Sequence, residues 1–273
     1  MKTQKMKNKS FIDSYLKAKP TSLWHYTSYE VLNKIMKDAS SGRDYMCFWF
    51  SNPLQTNDSR EVHFFQDHFL KKKRRKAIYS VFEKYHNIIG HPFTLSLIHQ
   101  REGYKTYPFC DIPMWGMYGD NFKGVRLKFN FDLLKQYCQD EKEIKLIQCQ
   151  YLTESDMDDK ARQISNAKND SENDMEKIYK QAICFKKCYW AYENEWRLVV
   201  WKNSIENIYS KPDGRLYTQI ELPLCLLEAI EIGSKADQDA IEGSLHLLKK
   251  KLISKGISVQ FEIRRSKLQF GYV

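Results

Sequence analysis

From Glu193 to Trp201 polar and apolar positions alternate, with Glu193, Glu195 and Arg197 on one face and Trp196, Leu198 and Val200 on the other. A period of two, enriched in aromatic and β-branched residues, predicts a half-buried strand. Comparable alternation or short apolar runs predict strands at 22–27, 45–50, 93–96, 124–129, 144–151, 216–221, 229–232 and 257–264. Helical spacing predicts helices at 11–20 (ended by Pro20), 29–37, about 61–87, 133–138, 175–188 and 237–254. Ser28 is the expected N-cap of the second of these, and Glu30 in its first turn suits the helix dipole. Residues 51–59 read as a polar loop of turn formers, and 111–120 as a loop in which Gly116 and Gly119 bracket Tyr118. Residues 154–176 are acid-rich with no apolar stripe before Met175, which predicts a surface excursion, a helical insert or a lid. With no internal repeat and no persuasive linker, the pattern predicts one domain over 1–273. Its class is α+β, with helices inserted between short strands of a mixed or antiparallel sheet.

Composition narrows the class of protein. A hydrophobic content of 42% with 29% charged residues is that of a soluble globular chain. No apolar run approaches the roughly 18 residues of a membrane span. The basic segment 1–10 is followed by no apolar stretch, so no secretory signal is predicted. Seven cysteines, an odd count without framework spacing, predict reduced thiols and a cytoplasmic location. A net charge of +10 raises the local concentration of anionic partners, whether nucleic acid, nucleotide or acidic protein. Much of that charge lies at Lys71–Lys76 and Lys249–Lys251, runs that serve either as docking sites or as solvated helix faces.

Motifs exclude several chemistries. There is no His-Glu-x-x-His, Cys-x-x-Cys or EF-hand pattern, so no metal is expected. Cys184 and Cys188, four apart on a predicted helix, read as buried thiols. Walker and Gly-x-Gly-x-x-Gly phosphate loops are absent. Two carboxylates about 6.6 Å apart on one strand approach the spacing of an inverting glycosidase, but both point the same way and cannot flank a sugar. Carboxylates beside Trp190, Tyr192 and Trp196 are the composition of a site for a flat, positively charged ring. They are equally the composition of a surface strand whose Arg197 pairs with its own neighbours.

Leu23-Trp-His-Tyr-Thr-Ser28, Phe48-Trp-Phe-Ser51 leading to Asn57, Asp58 and Glu61, Met114-Trp-Gly-Met-Tyr-Gly119 leading to Gly124, and Trp190-x-x-Glu-x-Glu-Trp-Arg197 together resemble the successive signatures of the DUF2971 family. Their His-Tyr-Thr strand is similar to that of the His–Tyr–Glu branch of the ADP-ribosyltransferase superfamily. The resemblance implies a split mixed or antiparallel β-sheet core of the ADP-ribosyltransferase type and an enzyme that takes NAD⁺ as ADP-ribose donor. Glu195 would be the carboxylate that stabilises the oxocarbenium-like state and holds the ribose 2′-hydroxyl. Glu193 would contact the acceptor or act as its base. His25 would hydrogen-bond the adenosine ribose, and Tyr118 with Tyr26 would stack on the nicotinamide. Ser51 and Asn57 would donate near the amide or diphosphate, with Arg43 as a further diphosphate contact. The acceptor is expected to be a macromolecule, with nucleic acid favoured by the charge. From the superfamily comes the expectation of a toxin in a defence or toxin–antitoxin system, held by an inhibitor protein. The alternative is a nucleic-acid-binding module or nuclease without NAD chemistry. All of this requires His25, Tyr118 and Glu195 to line one cleft.

Overall fold

The computed structural model describes residues 19–53, 90–100, 112–166, 180 and 182–268. Of the predicted elements, helix 61–87 with the Lys71–Lys76 run, residues 11–18 and the loop position Asn57 lie outside the described residues. The chain separates into two compact units, one of Met1–Ala18, Phe50–Ser96 and Glu141–Thr218, the other of Lys19–Trp49, Leu97–Asp140 and Gln219–Val273. Strands of both orientations and several helices make up the described residues, as the α+β expectation requires.

In the second unit, β1 (Ser22–Thr27) pairs antiparallel with β4 (Val125–Asn130), from Ser22 opposite Asn130 to Thr27 opposite Val125. The β4 strand pairs antiparallel with β11 (Leu227–Ile232), which runs parallel to β12 (Glu262–Arg265), so the sheet is mixed. Leu23, Leu127, Phe129 and Ile230 are fully buried between these strands. After β1, the Ser28 hydroxyl accepts from the Val31 amide at 3.2 Å and starts α1 (Tyr29–Ile35), as its sequence position predicts. The predicted helix 29–37 divides, since α1 ends at Met36 and a short α2 (Lys37–Ser40) follows. At the other end of the unit Asp237 caps α6 (Gln238–Ser254) by accepting from Ala240. The expected strand 257–264 is regular only from Glu262 to Arg265.

Residues Ile112–Tyr118 form a helix, α3, where the glycines predicted a loop. Met114 and Trp115 are buried on one side of it, and Pro113 at its start is tolerated because the first-turn amides have no helical partner. Beyond it, Asp120, Asn121 and Phe122 all have positive φ (50°, 51° and 71°), a left-handed turn that reverses the chain into β4. Two glycines permit this turn by omission: a Cβ on Gly124 would lie 2.2 Å from the Thr27 carbonyl oxygen, and one on Gly233 would lie 2.1 Å from that of Phe122.

In the first unit β8 (Glu195–Trp201) pairs with β3 (Pro92–Ile98) and antiparallel with β5 (Lys145–Gln148). The predicted strand 144–151 breaks at Cys149, whose amide donates to the Glu195 carbonyl (2.8 Å), while the next amide, of Gln150, donates to Cys184 (2.8 Å). Gln150–Leu152 then forms β6, parallel to β7 (Phe185–Lys187). Helix α5 (Glu154–Asn166) opens on a reciprocal cap: the Thr153 hydroxyl accepts from the Asp156 amide, and the Asp156 carboxylate accepts from the Thr153 amide. The end of the helix predicted over 175–188 is a strand instead. Phe185 and Lys186 are both buried, which an exposed-faced helix would not achieve for the lysine. Cys149, Ile183, Cys184, Val199 and Trp201 form a hydrophobic cluster on the face of β8 that also carries Glu195 and Arg197. Among the described residues no helix is long and apolar enough to cross a membrane.

Candidate active site

Glu195 opens β8 and is 2% exposed. Both faces of its backbone are clamped: its carbonyl accepts from Cys149, and its amide donates to the Tyr151 hydroxyl at 2.7 Å. The side chain is held as firmly. Oε1 accepts from the Ser96 hydroxyl (2.5 Å) and Arg197 Nε (2.8 Å), and Oε2 from Lys186 Nζ (2.8 Å) and Arg197 Nη2 (3.1 Å). Arg197 is itself fixed by donating Nη1 to the Ile183 carbonyl at 2.5 Å. Burial pushes the Glu195 carboxyl up, but Arg197 and then Lys186 outweigh it and hold the group well below the usual carboxylate range. Glu195 is therefore an oriented anion in a place from which water is largely excluded. Of its four donors, Arg197 and Lys186 are charged and buried, whereas Ser96 is neutral and exposed. That side of Oε1 is the one on which a substrate hydroxyl can take the place of a protein hydroxyl without unpairing a charge.

Glu193 does not share the strand. It closes a 3-10 helix, Cys188–Glu193, and Asn194 with φ 43° and ψ 52° turns the chain between the two carboxylates. The expected same-face alternation thus begins at Glu195, and Glu193 reaches its neighbour through Lys186, which ion-pairs with both. Glu193 is 2% exposed and Lys186 5%. Sequence reasoning misses Lys186 because the pattern around it suggests a helix. The strand there, Phe185–Lys187, is three residues long and carries no local signal of its own. Cys188 stands exposed at the start of the 3-10 helix, not buried as expected, while Cys184 is buried.

The other predicted residues sort by unit. Ser51, at the end of β2 (Tyr45–Ser51) opposite Thr94, belongs with Glu193 and Glu195 in the first. His25, Tyr26, Arg43 and Tyr118 belong to the second. His25 is half-buried in β1 with its ring edge-on to Phe48 at 5.7 Å. Tyr26 points to the opposite face, buried edge-on to Trp115, with its hydroxyl donating to Gln100 (3.0 Å) and accepting from Arg126 (2.8 Å). Tyr118 ends α3 with 45% of its surface exposed. Arg43 lies over the Tyr45 ring and donates to its hydroxyl, which raises the arginine's already high pKa.

Among the described residues no group of three or more His, Cys, Asp or Glu side chains is placed to hold a metal ion. No curated protein matches the chain. Two solved structures are similar to it at low levels. One is Thermus sp. 2.9 DarT in complex with NAD⁺, with 9% identity and a TM-score of 0.37 over 92% of this chain and 97% of that one. The other is Thermus sp. 2.9 DarT in complex with ADP-ribosylated ssDNA, with 10% identity and a TM-score of 0.36 over 91% and 95%. Residues 114–198, from the buried start of α3 to the middle of β8, match the family model described as "Protein of unknown function (DUF2971)", the family whose signatures the sequence resembles.

Proposed function

We propose that this chain is an NAD⁺-dependent ADP-ribosyltransferase whose acceptor is a nucleic acid, with Glu195 as its catalytic carboxylate. The observation that carries this reading is the setting of that side chain: buried, held by the two cations Arg197 and Lys186, and met at Oε1 by the neutral hydroxyl of the exposed Ser96. Breaking the nicotinamide–ribose bond sends the bonding pair to nicotinamide, which leaves neutral, while positive charge gathers on the ribose as in glycoside chemistry. A preorganised anion stabilises that charge without reorganising during the reaction, and in many enzymes such electrostatic stabilisation supplies most of the rate enhancement. An acceptor oxygen or nitrogen then bonds to the sugar carbon and gives up its proton to solvent water. In this scheme the ribose 2′-hydroxyl displaces the Ser96 hydroxyl at Oε1, while Arg197 and Lys186 keep their contacts. The resemblance assigns the adenosine ribose to His25 and the nicotinamide to Tyr118, whose exposed ring suits a cationic partner. Nucleic acid is preferred as acceptor because the chain carries a net charge of +10.

Incubation with NAD⁺ labelled in the adenylate, together with single-stranded DNA, RNA or lysate protein, tests the reading. Label transferred to a nucleic acid by the native chain and not by Glu195→Gln supports it. Label on protein alone would replace the acceptor but keep the chemistry. Salt-sensitive nucleic-acid binding with no consumption of NAD⁺ would mark a binding module instead.

A further inference from the structure

Two residues ahead of Glu195 in the chain, Glu193 has an obvious candidate role at the acceptor. The geometry points elsewhere: we infer that Glu193 is a positioning residue, acting through Lys186 to hold the Glu195 carboxylate in place. This rests on the reading of Glu195 as the catalytic carboxylate. Glu193 is as buried as Glu195, at 2% exposure each, so neither presents an open carboxylate to a macromolecule. Lys186 stands between the two acids and bonds both. The Lys186 ammonium also lies 5.6 Å from the centre of the Trp190 ring, on the same 3-10 helix that ends in Glu193.

Among the described residues the cluster holds two cations, Lys186 and Arg197, and two anions, Glu193 and Glu195, with the neutral Ser96 hydroxyl at Oε1. A lone buried lysine beside one carboxylate that Arg197 already neutralises would be an uncompensated charge, and burial would favour its neutral form. Glu193 removes that imbalance. It places a second anion beside the ammonium, which occupies Oε2 and together with Arg197 orients the carboxylate plane. That fixed plane leaves Oε1 facing Ser96. The left-handed Asn194 is what allows two acids so close in sequence to meet the same amine from different directions, since on a continuous strand they would stand side by side.

The test compares two reactions of the full chain: hydrolysis of NAD⁺ with no acceptor present, and transfer to the acceptor. A residue that touches only the acceptor affects the second. A residue that positions Glu195 affects both. Glu193→Gln is expected to lower kcat for acceptor-free hydrolysis by roughly tenfold to a hundredfold with KM for NAD⁺ little changed, the scale of a small misplacement of a catalytic group. Lys186→Met should do the same, the double variant should be no worse than the weaker single, and Lys186→Arg should recover most of the rate. Thermal midpoints confirm that each variant compared is folded. Where Lys186→Met does not fold, Glu193→Gln and Lys186→Arg still decide. Hydrolysis left at the native rate by Glu193→Gln while transfer falls would overturn the inference and return Glu193 to the acceptor. Carbon-13 signals of the glutamate carboxylates, followed against pH in the chain without NAD⁺, separate this from failure of the reading it rests on. Replacing Lys186 should raise the pH at which Glu195 titrates whether or not the chain consumes NAD⁺, and an unmoved Glu195 would overturn the coupling.

Discussion

Two buried guanidinium groups, one in each unit, are held in different ways. Arg126 in the second unit lies 3.9 Å from the Trp24 ring centre and donates to the Tyr26 hydroxyl (2.8 Å), Gln100 Oε1 (2.7 Å) and Glu231 (2.9 Å). Glu231 pairs with it across adjacent strands, at register position Arg126 opposite Glu231. The cluster ties β1, β4 and β11 together. Arg197 in the first unit serves a carboxylate that a second buried cation also serves, and that carboxylate touches an exposed hydroxyl. Both arginines are nearly inaccessible, 7% for Arg126 and 3% for Arg197, so burial does not distinguish them. What distinguishes them is the Ser96 hydroxyl at Glu195, which in the proposed function gives way to a substrate hydroxyl.

The contrast sets the order of expected effects. Arg126→Met should be the most damaging to stability, by about 3–5 kcal/mol, because it leaves Glu231 without its buried partner. Denaturant unfolding reads this, and KM for NAD⁺ in the folded fraction should be unchanged. A catalytic defect at equal stability would break the comparison. Next, Tyr118→Ala should raise KM for NAD⁺ by roughly threefold to thirtyfold through loss of a cation–π contact of about 0.5–2 kcal/mol, with stability unaffected because the ring is half exposed. Ser96→Ala should alter kcat/KM by no more than about threefold, since in the proposed complex the substrate hydroxyl occupies that place and in the free protein water can reach it. A large loss would make Ser96 a participant in its own right.

The smallest expected effect is a pH response that does not occur. Glu195 has a folded pKa depressed below its unfolded value of about 4.3. Its contribution to stability is therefore present above the unfolded value and is lost only as pH falls through the lower, folded one. Between pH 7 and pH 5 neither the thermal midpoint nor the acid side of the hydrolysis profile should show titration of Glu195. An acidic limb near pH 6 that Lys186→Arg leaves in place would assign the ionisation to another group.

How much of this was legible in the sequence depends on the range of the interactions involved. Strands β1, β2, β4 and β11 are specified by short apolar runs, and α6 by an aspartate cap before a long helix. Those signals are local, and the structure agrees with them to within a residue or two. The α3 helix was hidden by Pro113, Gly116 and Gly119, which in isolation favour a turn. Burial of Met114 and Trp115 overrides that preference. The strand at Phe185–Lys187 was hidden for the opposite reason, since its length of three residues is too short to show any period. With it went Lys186, the cation that gives the candidate site its shape. Glu195 and Arg197 were legible as a pair because they lie two apart on one strand. Ser96, about a hundred residues away in sequence, had no local signal at all.

The central claim is that the Glu195 carboxylate carries the chemistry, and acceptor-free hydrolysis of NAD⁺ tests it most directly. Glu195→Gln keeps the shape while removing the charge and turning one of the two acceptor oxygens into a donor. It is expected to lower the rate by about a hundredfold to a thousandfold with NAD⁺ binding retained. A folded Glu195→Gln variant that hydrolyses NAD⁺ at the native rate would contradict the claim.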